Sequence, residues 1–219
     1  MAKDLENVMT ENNIYLLTQI TSETTNGLIM QLSHWVNALP VTAPKQSEKI
    51  YSPYEQIPNN IPVLNVWINS GGGSSAHMTH ILNLFNIASA HGTIIKTYNM
   101  SQANSCASMI AVSGTKGYRY MGEDASNLVH YGTSRFSITH PNELNAQIND
   151  FNNEVKYVKK IYSKNSKLTE NELNRYLNIE GSGRLSAKQC LNKGLCDWVI
   201  TNDGRFVNSV AELKKQNQR

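Results

Sequence analysis

The chain has 219 residues, 40% of them hydrophobic and 17% charged, which suits one domain with a sizeable core or one domain plus an arm. Its 20 basic and 17 acidic residues give a net charge of +3, too balanced to point to nucleic acid or to an anionic membrane surface. Three widely spaced cysteines (Cys106, Cys190, Cys196) make neither a CxxC pair nor a disulfide framework, and no apolar run approaches the ~18 residues of a membrane span. A reducing compartment follows from the cysteines. With acids and no apolar leader at the N-terminus, cytoplasmic localisation is expected.

In chain order, residues 1–12 are polar and predict an N-terminal arm, mobile or engaged with a partner. Residues 14–18 read as a buried strand. Residues 23–38 place Leu28, Ile29, Leu32, Trp35 and Val36 at helical spacing. Repeated prolines in polar surroundings mark 39–61 as a long irregular insertion. Residues 63–68 are nearly continuous in apolar residues and predict a strand buried on both faces. A glycine run, Gly71-Gly72-Gly73, leads into a helix over 77–91, and a strand over 93–98 follows. The small residues Asn104-Ser105-Cys106-Ala107-Ser108 then open a helix to about 112. Short strands are expected at 118–121 and 126–130, and a long helix at 141–162 behind Pro141. A shorter helix near 169–176, a capping box at Ser186–Gln189, a strand at 196–200, and a C-terminal turn and helix within 202–219 complete the chain. This strand-helix alternation predicts an α/β fold with parallel crossovers, and residues 13–201 form its main domain.

Three features could carry chemistry. A glycine run between a buried strand and a helix can present several backbone N–H groups to an anion. It has neither the Walker pattern nor the dinucleotide fingerprint, which leaves an oxyanion hole as its functional reading. Ser108 is placed where a helix would begin, so charge developing there would meet the helix dipole. His130 ends an apolar strand and could serve as a base if it reaches that hydroxyl. His77 and His80 lie one turn apart with no third ligand in register, so no metal site is expected.

Glycine turn, serine and histidine in this order resemble the proteolytic subunit of the Clp protease family, serine peptidases on the ClpP/crotonase-type fold. Ile68-Asn69-Ser70-Gly71-Gly72-Gly73 is similar to the family's Ile-Asn-Ser-Pro-Gly-Gly. Ala107-Ser108-Met109 is similar to its Ala-Ser-Met, and Gly117-Tyr118-Arg119 to its Lys-Gly-Lys-Arg. Asn127-Leu128-Val129-His130 resembles the strand ending in the base, and Leu185-Ser186-Ala187 its Leu-Ser-Ala.

The resemblance implies Ser108 as nucleophile, His130 as base, the N–H groups of Gly72 and Met109 as oxyanion hole, and no cofactor or metal. It implies a polypeptide substrate, and a homo-oligomeric ring, heptameric or double, enclosing the sites. It also implies an AAA+ unfoldase as partner, and 141–162 as a protruding handle helix.

The chain departs from the family in several places. The position of the third catalytic residue, an aspartate in the family, is Ser182 here, and the nearest acid is Glu180. The interval from Ser108 to His130 is a few residues shorter than the family's. Gly71 replaces the family's proline. The glycine-rich strand after the base is replaced by Gly132-Thr133-Ser134-Arg135-Phe136, and the 39–61 insertion has no family counterpart. Either Glu180 orients His130, or Ser182 holds it weakly, or the chain is a weakly active or non-catalytic structural subunit of a ring. A crotonase-type acyl-CoA enzyme is the alternative on the same fold.

Overall fold

The computed structural model describes residues 6–40, 49–130, 141–177 and 183–216. In chain order the elements are β1 (Val8–Thr10), β2 (Asn13–Leu16), α1 (Ser22–Asn37), β3 (Val63–Ser70), α2 (Ser75–Ala90), β4 (Ile94–Asn104), α3 (Cys106–Val112), β5 (Arg119–Gly122), β6 (Ser126–Leu128), α4 (Pro141–Asn165), α5 (Glu170–Leu177), β7 (Arg184–Ser186), α6 (Ala187–Asn192), β8 (Trp198–Ile200), β9 (Phe206–Val207) and α7 (Val210–Gln216). The main sheet runs β1-β2-β3-β4-β5-β8-β9. Its inner pairs, from β2 to β8, are parallel, and the two outer pairs are antiparallel. Strand-helix crossovers account for the parallel centre, and the expected α/β fold is observed.

Within the stretch expected to be an arm, Val8–Thr10 pairs with β2 through a tight turn at Glu11, whose φ is 52°. Asn7 fixes this hairpin: its side chain accepts from the N–H groups of Leu17 and Thr18 and donates to Thr25. Helix α1 starts on a capping box at Thr21, and α6 on the expected one at Ser186.

Strand β3 is not buried on both faces. Leu64, Val66 and Ile68 turn into the helical core, while Val63, Asn65 and Trp67 are only half-buried. On that second face Trp67 stacks on Tyr98 at 4.2 Å between ring centroids, and Tyr98 on Tyr120 at 4.8 Å. Part of the irregular stretch lies over these rings: Tyr51, Ile57 and Ile61 pack there. It is pinned by Tyr51 N–H to the Tyr118 hydroxyl (2.7 Å) and by Phe206 N–H to the Tyr54 hydroxyl (3.1 Å). Residues 41–48 lie outside the described residues.

Strand β4 positions the site. It runs six residues past its expected end. Its first half pairs with β5 at Thr97–Asn99, and its last residues, Gln102–Asn104, pair with β6. Between them the β3–β4 register shifts, from Ile68↔Asn99 to Ser70↔Ala103. A bulge of this kind bends a strand and re-aims its end. Here the end of β4 leaves the main sheet for a small side layer of β6 and β7, and α3 starts one residue later.

The far end of α3 is held by Arg119, which is 3% exposed. Its guanidinium pairs with Asp197 (Nη2 to Oδ1 2.6 Å, Nε to Oδ2 2.8 Å) and donates through Nη1 to the carbonyls of Val112 (3.3 Å) and Asn165 (2.5 Å). One side chain thus joins the last residue of α3 to the last residue of α4. A buried charge is tolerable only when paired and hydrogen-bonded in this way.

Candidate active site

The junction between β4 and α3 is occupied by Ser105, not Ser108. Helix α3 begins at Cys106, with Ser105 as its flanking residue at φ 56° and ψ −123°. A non-glycine residue in that region costs about 1–3 kcal/mol and persists only where its surroundings over-determine it. Here its N–H donates to Leu128 O at 3.0 Å, and its carbonyl accepts from Met109 N–H at 3.2 Å. Ser105 is half-buried.

Ser108 lies inside the helix, 0% exposed, and its Oγ accepts a 2.8 Å hydrogen bond from the Tyr162 hydroxyl of α4. It was expected at the helix start. Propensity cannot separate two serines three residues apart in a run of small residues. The pairing of Gln102–Asn104 with β6 does, because it prolongs the strand to the residue before Ser105.

Met109 is displaced with Ser108. Its N–H is spent on the Ser105 carbonyl within the helix. The first residues of a helix have N–H groups with no acceptor a turn behind them, and Cys106 holds that position.

The glycine turn is where it was expected, against this junction. Gly72 has φ +89°, and a Cβ there would stand 2.5 Å from Asn104 O, 2.8 Å from Ser105 Cβ and 3.1 Å from Cys106 N. Only glycine permits that approach. Gly72 N–H donates to Ser70 Oγ at 3.2 Å, and its carbonyl accepts from Ile20 N–H at 2.8 Å. Gly73 O accepts from Cys106 Sγ at 3.0 Å, which laces the turn to α3. Burial pushes the Cys106 thiol up, so it stays a protonated donor.

His130 follows β6 by two residues and is half-buried. Because Asn104 pairs with Leu128 in the parallel β4–β6 ladder, Ser105 and His130 leave neighbouring strand ends in the same direction. Val129 N–H donates to Gly183 O at 2.9 Å, so β7 enters beside the strand that carries His130. Glu180 and Ser182 precede that point in sequence and lie outside the described residues, as do 132–136. Among the described residues no group of three His, Cys, Asp or Glu side chains could hold a metal ion, and no helix is long and apolar enough to cross a membrane.

Ser105 was missed as a candidate, yet one signal pointed to it. The interval from Ser108 to His130 is short for the family, and a serine three residues earlier lengthens it.

Comparison with known proteins identifies the family. The Clp protease family model matches residues 55–203. The chain is 28% identical over 148 residues to an ATP-dependent Clp protease proteolytic subunit of Streptococcus uberis, covering 66% of this chain and 72% of that protein. It is 27% identical over 138 residues to ATP-dependent Clp protease proteolytic subunit 2 of Streptomyces coelicolor, covering 63% of this chain and 61% of that one.

Proposed function

The chain belongs to the Clp protease family, since the family model spans most of its length, and from that premise we propose that it is a serine endopeptidase whose nucleophile is Ser105. The observation that carries this is the backbone of Ser105: a strained, half-buried serine at a strand-to-helix junction, with Gly72 in van der Waals reach of its Cβ. Strain of this kind in a non-glycine residue is characteristic of reactive positions.

In the proposed reaction Ser105 Oγ attacks the carbonyl carbon of a peptide bond while His130 takes its proton. The tetrahedral oxyanion is held by Cys106 N–H, in place of Met109 N–H, and by Gly72 N–H. The latter's hydrogen bond to Ser70 Oγ is long enough to be shared. His130 returns the proton to the departing amine, and water then releases the acyl group from Ser105 by the same steps. Glu180 is assigned to the second ring nitrogen of His130. In support, β7, which follows closely in sequence, pairs with the strand of the base.

The substrate is a polypeptide in extended form, and the working unit is a ring of copies enclosing the sites. In support, α4 carries an apolar seam of Leu144, Ile148, Phe151 and Val155 that the chain leaves partly or largely exposed. An AAA+ unfoldase that feeds the chamber completes the proposal. It rests on the relatives, which are proteolytic subunits of ATP-dependent Clp proteases.

A fluorogenic peptide assay on the assembled protein tests the nucleophile. Ser105→Ala is expected to lose about 10⁴-fold or more in kcat, and Ser108→Ala only about tenfold. The opposite ranking would refute the assignment.

A further inference from the structure

Helix α3 is short, and Ser105 makes no side-chain hydrogen bond that caps it. The strained backbone at its start must therefore be held by what packs around the helix. All seven α3 residues are buried, and several polar contacts pin them. Cys106 is tied to the glycine turn, Thr97 Oγ1 donates to Ala111 O at 2.8 Å, and Arg119 holds Val112 O. Among the described residues, a side-chain hydrogen bond joins α3 to α4: the Tyr162 hydroxyl donating to Ser108 Oγ. Both groups are completely enclosed.

A hydrogen bond in that place is not needed for burial. An alanine facing a phenylalanine would fill nearly the same space without polar atoms, and replacing both partners of a buried hydrogen bond is often close to neutral for stability. What the bond adds is direction. Ser108 lies one turn from Ser105 on the same short helix, so its anchor sets how deep α3 sits and how it is rotated about its axis. Depth and rotation together aim the Ser105 hydroxyl and the Cys106 N–H. Arg119 fixes the other end of α3 to the last residue of the same helix, α4. Helix α4 therefore brackets α3, while its first half carries mostly exposed residues.

We propose that Tyr162 is a positioning residue for the reaction: through its hydrogen bond to Ser108 it registers α3, and with it the nucleophile, against the rooted end of α4. The proposal rests on Ser105 being the nucleophile.

The test uses the assembled full chain in three forms, Tyr162→Phe, Ser108→Ala and the double variant. The readouts are kcat and KM for a fluorogenic peptide, the rate of fluorophosphonate labelling at Ser105, and the thermal midpoint. A small misplacement of a reacting group lowers the rate of the chemical step. Each single variant is expected to lose about tenfold in kcat and in labelling rate. KM should stay unchanged; each single variant is expected to lower the thermal midpoint by several degrees, because it leaves a buried hydroxyl unpaired, and the double variant to return it to near that of the parent.

In kcat and labelling rate the double variant is expected to match either single one, because all three remove the same bond. Folded variants with kcat and labelling within about twofold of the parent would overturn the proposal. So would a double variant that recovers the parent rate, since that would reduce the effect to an unpaired buried hydroxyl. If Tyr162→Phe does not assemble, Ser108→Ala reads the same bond from its other end. A parent protein that is not labelled at Ser105 would sink the peptidase reading itself and this inference with it. A labelled parent with unaffected variants sinks only the inference.

Discussion

Two serines three positions apart meet different surroundings at the β4–α3 junction. Ser105 has the strained backbone and stands half-buried beside Gly72. Ser108 is fully enclosed and bonded to Tyr162. The glycine turn is what permits the first arrangement, so Gly72→Ala should be severe. The added Cβ would press on Asn104 O and Ser105 Cβ, and alanine resists a φ of +89°. A loss of at least about 100-fold in peptidase rate is expected, with about 1–3 kcal/mol of stability lost in urea unfolding. Glu180→Gln should lower kcat by about 10²–10⁴ with little change in KM, because an unoriented imidazole is a poor base. If that variant is unaffected while Ser182→Asp raises the rate, the chain works without its third residue.

In the sequence, the places of Gly72 and His130 in the fold were legible, because each follows a strand that could be read from its residues. The choice between Ser105 and Ser108 was not legible from local signals. Both are small residues near a helix start, and the deciding fact is a pairing with β6, more than 20 positions away in the chain.

Elements with strong periodicity and capping residues were read well from sequence. Helices α1, α2 and α6 lie within a residue or two of expectation, each with a side-chain cap at its start. The strands were read less well, and for two of them the physical reason is plain. The second half of β4, Asn99–Asn104, is mostly polar, and is held as a strand by its pairings with β3, β5 and β6. Short β1 has little pattern of its own and is fixed by the Asn7 side chain.

At this scale a pH effect is expected where α5 meets α6. Lys193 bonds the Glu172 carboxylate and, with the Thr169 backbone N–H, holds its pKa down to about 2, from an ordinary value near 4.5. A carboxyl with a depressed folded-state pKa adds stability that is full above its unfolded value and is lost as pH falls through the folded one. Thermal midpoints measured from neutral pH down to about pH 2 should therefore show a decline between about 4.5 and about 2 that Glu172→Gln makes shallower. A variant with an unchanged acid limb would show that this pair does not contribute.

For the whole molecule, one face of the sheet is packed by helices. The other carries the Trp67–Tyr98–Tyr120 stack, partly covered by the irregular segment that the prolines marked in the sequence. That the segment would lie on this face was not legible, since an aperiodic stretch says nothing about what it covers. Helix α4 is the other feature of molecular scale. Its C-terminal half is rooted beside α3 through Val158, Ile161 and Tyr162, while Ile148 remains 39% exposed. An apolar seam of this kind suits pairing between copies. Ile148→Asp is expected to shift the protein to smaller species in light scattering while the monomer keeps its fold by circular dichroism. An unchanged assembly would place the contact elsewhere.

The central claim is that Ser105 is the nucleophile, and covalent capture tests it most directly. The assembled protein is treated with a fluorophosphonate, and the peptide spanning residues 97–116 is sequenced by tandem mass spectrometry. The phosphonyl group is expected on Ser105. An adduct on Ser108, or none on this peptide, would contradict the account.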